Sequence, residues 1–456
     1  MTGITPAQEN QRMLARLVGI DEDQAAERLD RNVVISHDGS AAAFAQELRA
    51  QLERTIRVAD GGDCDLEVVV GTAPATSAPR HLHVTLAVDR VCLSDSPLPA
   101  SAGPVALHGV QTMIAACFAA GAVLQRVIPN LPGPMEDPFV LRFDVIGATR
   151  EVLDRPIALT DTVLVGGGAV GNGFLRAARH LDISGSLAVT DPKRVGRGNP
   201  NRCLYFDDGD VDRPKASRLC EKAQLDFARL KLEPADVSFE EFRRLRGKVR
   251  RVIVGADSRA VRRSIQKELP LEVLDASTTD VSEIIVLSHR QPTAGACLAC
   301  IYKHIPDELA RARDIASGLG IDVADVIPGG LIDERVAAKI VVSHPQLTAA
   351  GLVGIAFDSL FKQLCGEQAL LSPTGGQVLA PFAFVSNLAG ALLALELARF
   401  DAGRETDTAS NYLCLSPWAP PHSRLRCWRR RESDCEFCSD PDSLAALRAV
   451  WPEHHL

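Results

Sequence analysis

Two hydrophobic patterns alternate along this chain of 456 residues, and together they predict an α/β fold. Short apolar runs between polar or turn residues read as strands. They lie at Asn32 to Ser36, Leu66 to Val70, Leu82 to Val88, Thr162 to Val165, Leu187 to Asp191, Arg251 to Gly255, near Val273, Glu283 to Ser288 and Asn411 to Leu415. Helical spacing falls between them. Phe44, Leu48, Leu52 and Ile56 share one face of Ala41 to Ile56, and Gly173 to Leu181 and Lys215 to Leu230 fill gaps of the later series. From about Val140 strand and helix alternate, which predicts a mostly parallel sheet with helices on both faces. Ile305 to about Gly366 breaks the alternation and reads as a helical insertion.

Two longer stretches, Val105 to Val127 and Val378 to Phe400, are apolar on every side. Their length would suit a membrane span. However, His108, Gln111 and Gln125 interrupt the first, and Pro381, Asn387 and Glu396 the second, so helices buried in a protein core are expected. Met1 to Arg12 is polar and lacks an apolar signal core, so a cytoplasmic chain is expected. Pro129 to Pro138 holds four prolines and reads as a linker. The expected division is therefore 1–138, a first α/β unit; 139–304, a nucleotide-binding unit; 305–370, the helical insertion; and 371–456, the end of the second unit. Gly103-Pro-Val105 with its apolar helix faintly matches Gly376-Gln-Val378 with its own, a hint of internal duplication.

Hydrophobic content of 46% is ordinary for a globular protein. A net charge of −8 gives the surface as a whole no attraction for nucleic acid or anionic lipid, so neither is expected as a partner. Of twelve cysteines, four form two Cys-x-x-Cys pairs, Cys297/Cys300 and Cys435/Cys438. In a cytosolic chain that spacing suggests metal rather than disulfides. Four thiolates close a tetrahedral zinc site and leave no open position, so the expected Zn²⁺ is structural.

The chemistry concentrates between Val163 and Asp257. Val163-Leu-Val165 runs into Gly166-Gly-Gly168-Ala-Val-Gly171, where Gly166, Gly168 and Gly171 let backbone turn tightly and approach a ligand at a helix N-terminus. Asp191 follows twenty residues after Gly171, a spacing suited to a carboxylate on ribose hydroxyls. That much fits NAD, FAD and S-adenosylmethionine equally. The residues beyond go further. Asn199-Pro-Asn-Arg202 and Asp212-Arg-Pro-Lys215 add a carboxamide and two cations, and Val252-Ile-Val-Gly-Ala-Asp257 ends a strand on a carboxylate. Attack on an α-phosphate builds negative charge that cations stabilise, and a carboxylate opposite them suits Mg²⁺.

At these residues the chain resembles the ThiF/MoeB adenylyltransferases and the ubiquitin-activating enzymes. Their glycine loop, ribose acid, Asn-x-x-Arg element, lysine and later Asp occur here in the same order and spacing. The likeness covers about Val140 to Asp440 and includes both cysteine pairs. It implies a Rossmann-like adenylation domain, preceded by a degenerate half that makes a pseudo-dimer within one chain, or else a homodimer. ATP, Mg²⁺ and Zn²⁺ are the implied cofactors. Asp191 would hold the ribose, Asn199, Arg202 and Lys215 the triphosphate, and Asp257 the Mg²⁺. The partner half of the family also supplies an arginine, for which Arg12 and Arg16 are the candidates. The implied activity is ATP-dependent activation of the C-terminal carboxylate of a ubiquitin-like protein. A thioester and transfer to a conjugating enzyme would follow, in a bacterial version of the pathway. Cys365 is the candidate thiol, and its apolar neighbours Phe357, Leu360, Phe361 and Leu364 equally suit a core cysteine. The alternative is adenylation of a sulfur carrier, peptide or small carboxylate with no thioester. A non-catalytic scaffold and an NAD oxidoreductase are the rivals from other classes, and the full polar set argues against both. Two positions depart from the family. Lys193 stands where a second acid is common, and Pro200 where an apolar residue follows the Asn.

Overall fold

Two sheets organise the computed structural model, which describes residues 5–99, 105–278, 281–302, 308–327, 331–357, 382–403 and 410–453, with Leu360, Phe361 and Leu364. The first sheet contains β1 (Asn32–His37), β2 (Arg57–Ala59), β3 (Leu66–Val70), β4 (His81–Leu86), β5 (Arg90–Ser94) and β6 (Phe139–Arg142), in the order β2-β1-β3-β4-β5-β6. The second contains β7 (Ile157–Leu159), β8 (Thr162–Val165), β9 (Ile183–Thr190), β10 (Leu230–Ala235), β11 (Arg251–Val254), β12 (Glu272–Thr278), β13 (Ile284–Arg290), β14 (Tyr412–Leu415) and β15 (Arg426–Cys427). Its order is β10-β9-β8-β11-β12-β13-β14-β15, with β7 beside β9.

The two orders correspond. Strands β2-β1-β3-β4 are mutually parallel, and β5 and β6 follow by antiparallel pairing. Strands β9-β8-β11-β12 are likewise parallel, and β13 and β14 follow by antiparallel pairing. Helices α1 (Pro6–Val18) and α2 (Glu22–Leu29) precede the first sheet, and α3 (Ala42–Leu52) and α4 (Gly109–Val127) belong to it. Short α5 (Phe143–Ile146) and α6 (Arg150–Leu153) lead to the second sheet. There, α7 (Ala169–Ala178), α8 (Lys215–Ala223), α9 (Phe239–Arg246), α10 (Arg259–Lys267) and α11 (Leu298–Ile301) follow in turn. The insertion carries α12 (Glu308–Leu319), α13 (Glu334–Ser343) and α14 (Ala349–Leu352), before α15 (Ala383–Asp401) and the C-terminal α16 (Pro441–Val450). Helices α3 and α7 each follow the strand that begins the parallel run, and α4 and α15 each precede the matching late strand. All four pack together as one layer, with α4 and α15 in mutual contact.

That packing explains the two long apolar helices. Each is nineteen residues long and apolar enough to cross a membrane, yet each is buried almost throughout its length among other helices and the sheets. A helix enclosed on every side needs no polar face. The second sheet is also buried on both faces. Leu164, Ile253 and Leu274 join the core with α7 and α15, whereas Val163, Val165, Val252 and Val254 pack on the α9 and α10 side. The first sheet turns Val68, Val70, Leu82, Val84, Leu93 and Leu141 into the shared core. Its other face carries Glu67, His81 and His83. The insertion has its own core, built around Leu319, Ile340, Leu352, Phe357 and Leu360.

Several boundaries differ from expectation. The strand containing Val140 closes the first sheet rather than opening the second, because Phe139 and Leu141 alternate inward and Phe139 packs on Phe118 of α4, 5.6 Å between ring centroids. The helix expected over Lys215 to Leu230 stops at Ala223. The Gln224 side chain donates to the carbonyls of Phe227 and Leu230 and accepts from the Leu232 amide, turning the chain into β10. The helix expected from Gly173 begins at Ala169, directly on the glycine loop. The run expected over Leu82 to Val88 is split, since Ala87 and Arg90 exchange backbone hydrogen bonds and reverse the chain into β5.

The α7–α15 crossing is so close that it admits no side chain. A Cβ on Gly390 would lie 2.4 Å from the Gly173 carbonyl carbon and the Phe174 nitrogen, and 2.6 Å from the Val170 oxygen. These are backbone atoms and cannot turn aside. Gly390→Ala is therefore expected to lower stability by about 1–3 kcal/mol or more, as overpacking of a fixed contact does. Denaturant unfolding measures this. A variant as stable as wild type would show that the helices can separate freely.

Candidate active site

The candidate site forms where the direction of strand succession changes. From β8 the chain passes to β9 on one side, and the next strand on the other side is β11. The carboxyl ends of parallel strands at such a point leave a crevice. The glycine loop sits in it, between β8 and α7. Gly166 has φ +103°, and a Cβ there would meet the Gly255 carbonyl at 2.9 Å. A Cβ on Gly171 would lie 2.1 Å from the Gly166 oxygen. These two glycines are required by internal packing. Gly168 is different, because its Cβ position opens onto empty space in front of α7. No side chain caps that helix, so its first amides are available to an anion.

Asp191, at the end of β9, is buried and locks the loop. Its carboxylate accepts from the Gly167 amide at 2.9 Å and from the Lys193 amide at 2.8 Å. Asn172 locks it from the other side. Its Nδ2 donates to the carbonyls of Gly167 and Gly168, both at 3.0 Å, and its Oδ1 accepts from the Tyr205 amide at 3.1 Å. Sequence reasoning passed over Asn172, although a fully buried amide in the first helical turn after Gly171 is the kind of residue that holds such a loop.

Of the remaining expected polar residues, Lys215 comes directly against this loop, and the others lie on the segments that follow it. Asn199 begins a short 3₁₀ turn, Asn199–Asn201, and its Oδ1 accepts from the Gly196 amide at 3.0 Å. Arg202 donates from Nη1 to the Asn201 side chain at 2.8 Å. Lys215 opens α8, and its stem passes 3.3 Å from where a Cβ on Gly167 would lie. The cations of Arg202, Lys215 and Arg54 favour the thiolate of buried Cys203, and the Asp191 carboxylate disfavours it. Burial nevertheless raises that thiol above its ordinary range. Asp257 lies past the end of β11 with its side chain exposed, and Lys193 Nζ sits 3.1 Å from it. An ammonium thus already occupies the surroundings of the carboxylate expected to hold a divalent cation, and the position suits a cation.

The N-terminal Arg12 is engaged elsewhere. Arg12 pairs with Glu22 of α2 at 3.4 Å. The α1 residues that meet the loop are Glu9, beside Gly198, and Asn10, whose Oδ1 accepts from Asn201 Nδ2 at 3.3 Å. Cys365 lies outside the described residues. The apolar residues before it, Phe357, Leu360 and Phe361, are buried in the core of the insertion. The insertion also approaches the segment after Asp191, where a Cβ on Gly354 would lie 3.9 Å from Arg194 Nε.

The corresponding place in the first sheet is filled from within. Asp38, after β1, sits at the start of the turn leading into α3. Its Oδ1 accepts from the Ser40 and Ala41 amides at 3.0 and 3.2 Å, and its Oδ2 from the Thr72 amide at 2.7 Å. Hydrogen bonds from Ser40 and Thr72 hold this carboxyl far below the usual carboxylate range. Gly71, like Gly255, follows the third strand of its parallel run, and a Cβ there would clash with the Asp38 carboxylate at 2.1 Å. The position facing the helix N-terminus is therefore taken by a side chain.

The four paired cysteines converge. Their Sγ atoms all lie within 4.8 Å of one another, with Cys297–Cys300 at 3.8 Å, Cys297–Cys435 at 3.7 Å and Cys300–Cys438 at 3.4 Å. A tetrahedron with metal–sulfur bonds of about 2.3 Å has edges of about 3.8 Å, so the set fits zinc. An antiparallel bridge between Gly295 and Arg430 brings the two pairs together. The cluster is remote in role from the nucleotide loop and ties the C-terminal segment to β13.

Comparison with known proteins adds the following. A family model described as "E1 N-terminal domain" matches residues 4–149, and the "ThiF family" model matches residues 150–437. The uncharacterized protein y4jF of Sinorhizobium fredii is 28% identical over 386 residues, covering 80% of this chain and 72% of that protein. Among solved structures, E. coli MccB with succinimide is similar at 12% identity and TM-score 0.37, over 65% of this chain and 69% of that one. E. coli MccB with ATP is similar at 13% identity and TM-score 0.37, over 65% and 68%.

Metal analysis by plasma mass spectrometry is expected to find about one zinc per chain. Cys435→Ser is expected to lose it and to free the segment after β15 to proteolysis. A folded, metal-free wild type with that segment protected would overturn the structural-zinc assignment.

Proposed function

The chain belongs to the ThiF family, and on that premise we propose that it is an activating enzyme that adenylates the C-terminal carboxylate of a ubiquitin-like or sulfur-carrier protein. The observation that carries this reading is the surroundings of the glycine loop. An uncapped helix N-terminus opens onto empty space at Gly168, with Lys215 beside the loop, Arg202 on the adjoining segment, and Asp257 at the end of the neighbouring strand.

The reaction needs little else. A carboxylate oxygen of the carrier attacks the α-phosphorus of ATP, the new P–O bond forms, and the bond to pyrophosphate breaks. The α7 amides would receive phosphate oxygens, and Asp191 would hold the ribose with the lone pairs it does not spend on Gly167 and Lys193. Arg202 and Lys215 would meet the charge that grows on the phosphates, and Asn199 would orient the loop that carries Arg202. Asp257 would hold Mg²⁺, which screens the phosphate charge when bound. Arg12 remains the proposed contribution from the first unit, which would require it to leave Glu22. We read residues 1–138 with β6 as a degenerate half, because its sheet repeats the order of the active one while Asp38 fills its anion position. The paired halves then make the pseudo-dimer. The reading takes the cytoplasm as its compartment, where thiols stay reduced. A second stage, in which the Cys365 thiolate attacks the acyl adenylate, forms a thioester and expels AMP before transfer to a conjugating-enzyme thiol, is proposed from the helical insertion near Arg194.

ATP–pyrophosphate exchange with candidate carriers tests the first stage. Arg202→Ala and Asp257→Ala are each expected to reduce exchange by about 10²–10³-fold, the usual effect of removing a preorganised charge contact. Exchange that survives both substitutions refutes the site.

For the second stage, a reductant-sensitive carrier adduct is expected to vanish in Cys365→Ala while exchange persists. An adduct unchanged in that variant removes Cys365 from the mechanism.

A further inference from the structure

Arg54 comes from the first unit, in the turn just after α3, yet its guanidinium ends inside the nucleotide loop of the second. Nη1 donates to the Pro200 carbonyl at 2.6 Å and to the Phe206 carbonyl at 3.4 Å, and Nη2 donates to the Leu204 carbonyl at 3.3 Å. Among the described residues these three carbonyls receive no other hydrogen bond. The segment between Asn199 and Asp210 belongs to neither sheet nor α-helix, so it has no ladder to fix its shape. A planar fork with five donors is suited to gather carbonyls from such a segment.

Further contacts converge on the same place. Asn10 Nδ2 donates to the Arg54 carbonyl at 2.6 Å, and Asn10 Oδ1 accepts from Asn201. Gln51, one turn before Arg54, accepts from Asn387 Nδ2 at 3.1 Å, and that same amide reaches the Arg202 carbonyl at 3.5 Å. Glu47, one turn earlier still, forms a bidentate pair with Arg176 of α7, with Nη2 to Oε2 at 2.8 Å. Glu47, Gln51 and Arg54 thus lie along one side of α3 and its end, and each grips a different part of the nucleotide half.

We propose that Arg54 is a positioning residue for the nucleotide loop. It holds the backbone two residues before and two residues after Arg202, and so sets where that guanidinium stands. The inference rests on the nucleotide-site reading above. It gives the first unit a task beyond any substrate recognition: it completes the geometry of a site to which Arg54 supplies no ligand.

The test compares wild type with Arg54→Ala, Arg54→Lys and Arg49→Ala. Arg49 is on the same helix and pairs with exposed Glu53 and Asp60, so it serves as a control. Equilibrium dialysis with ATP alone reads affinity without a carrier, and hydrogen exchange reads the amides of residues 201–206 directly. In Arg54→Ala the ATP dissociation constant is expected to rise at least tenfold, and exchange of those amides at least tenfold, with α7 amides unchanged. Arg54→Lys keeps the charge with a single donor head and is expected to fall between, with at least a threefold loss of affinity. Arg49→Ala is expected to match wild type. Affinity within twofold of wild type in a folded Arg54→Ala overturns the proposal. Should that variant fail to fold, Arg54→Lys decides it by its own threshold. If wild type binds no ATP, the nucleotide reading fails first, and the hydrogen-exchange result alone then decides whether Arg54 orders the segment.

Discussion

The contact on which the rest of this structure depends is the crossing of α7 and α15 at Gly173 and Gly390. Two helix backbones touch there with no side chain between them. The approach fixes how far α15 sinks toward the second sheet, and thereby how closely α4 can follow it. Gly121 of α4 in turn takes the ring of Phe384, with 3.1 Å to the position its Cβ would occupy. Since α7 starts on the glycine loop, the same crossing sets the depth of the anion-facing amides relative to the strand ends. Interiors packed to crystal density do not absorb a shift at such a point, and they pass it on to the neighbouring elements. Helix layer and glycine loop are therefore one mechanical unit.

A second, polar constraint runs through that apolar layer. Glu47 is almost fully buried, and a lone carboxylate there would be strongly disfavoured. Burial pushes its proton affinity up, and Arg176 with its hydrogen bonds more than reverses that, so the net shift is downward. Losing one partner of such a pair typically costs about 3–5 kcal/mol, because the other is left buried and uncompensated. The apolar layer alone would allow α3 to slide along α7. The Glu47–Arg176 fork and the Gln51–Asn387 amide contact select one register, and the segment holding Arg202 follows from it.

What could be read from the chain divides along physical lines. Strands such as Leu66–Val70 and Thr162–Val165 are short, mostly apolar runs, and the two long apolar helices declare themselves by composition. Local chemistry decided the rest. The Gln224 side chain ends α8, and the Ala87–Arg90 exchange makes a hairpin, and neither alters hydrophobic spacing. Helix α1 did carry a readable start, with Thr5 capping, Pro6 at the first position and Gln8 completing the box, but its large apolar residues, Met13, Leu14, Leu17 and Val18, come only in its second half. At the site, Asp191, Asn199, Arg202 and Lys215 lie within one supersecondary unit, so their order and spacing were informative. Arg54 lies 146 residues from Pro200, and Asn387 lies 336 from Gln51. No local pattern links such pairs, and only the folded helix layer brings them together. Lys193 stood out as a departure and Asp257 as a candidate site carboxylate, but nothing local linked the two into a pair.

Asp38 has a consequence for stoichiometry. Two equivalent subunits with two open cradles present a choice of where a nucleotide sits, and traffic between them has to be coordinated. Here one cradle carries its own permanent anion, bound through the backbone, so the choice is made at translation. On the proposed reading, each polypeptide would then handle one nucleotide at a time.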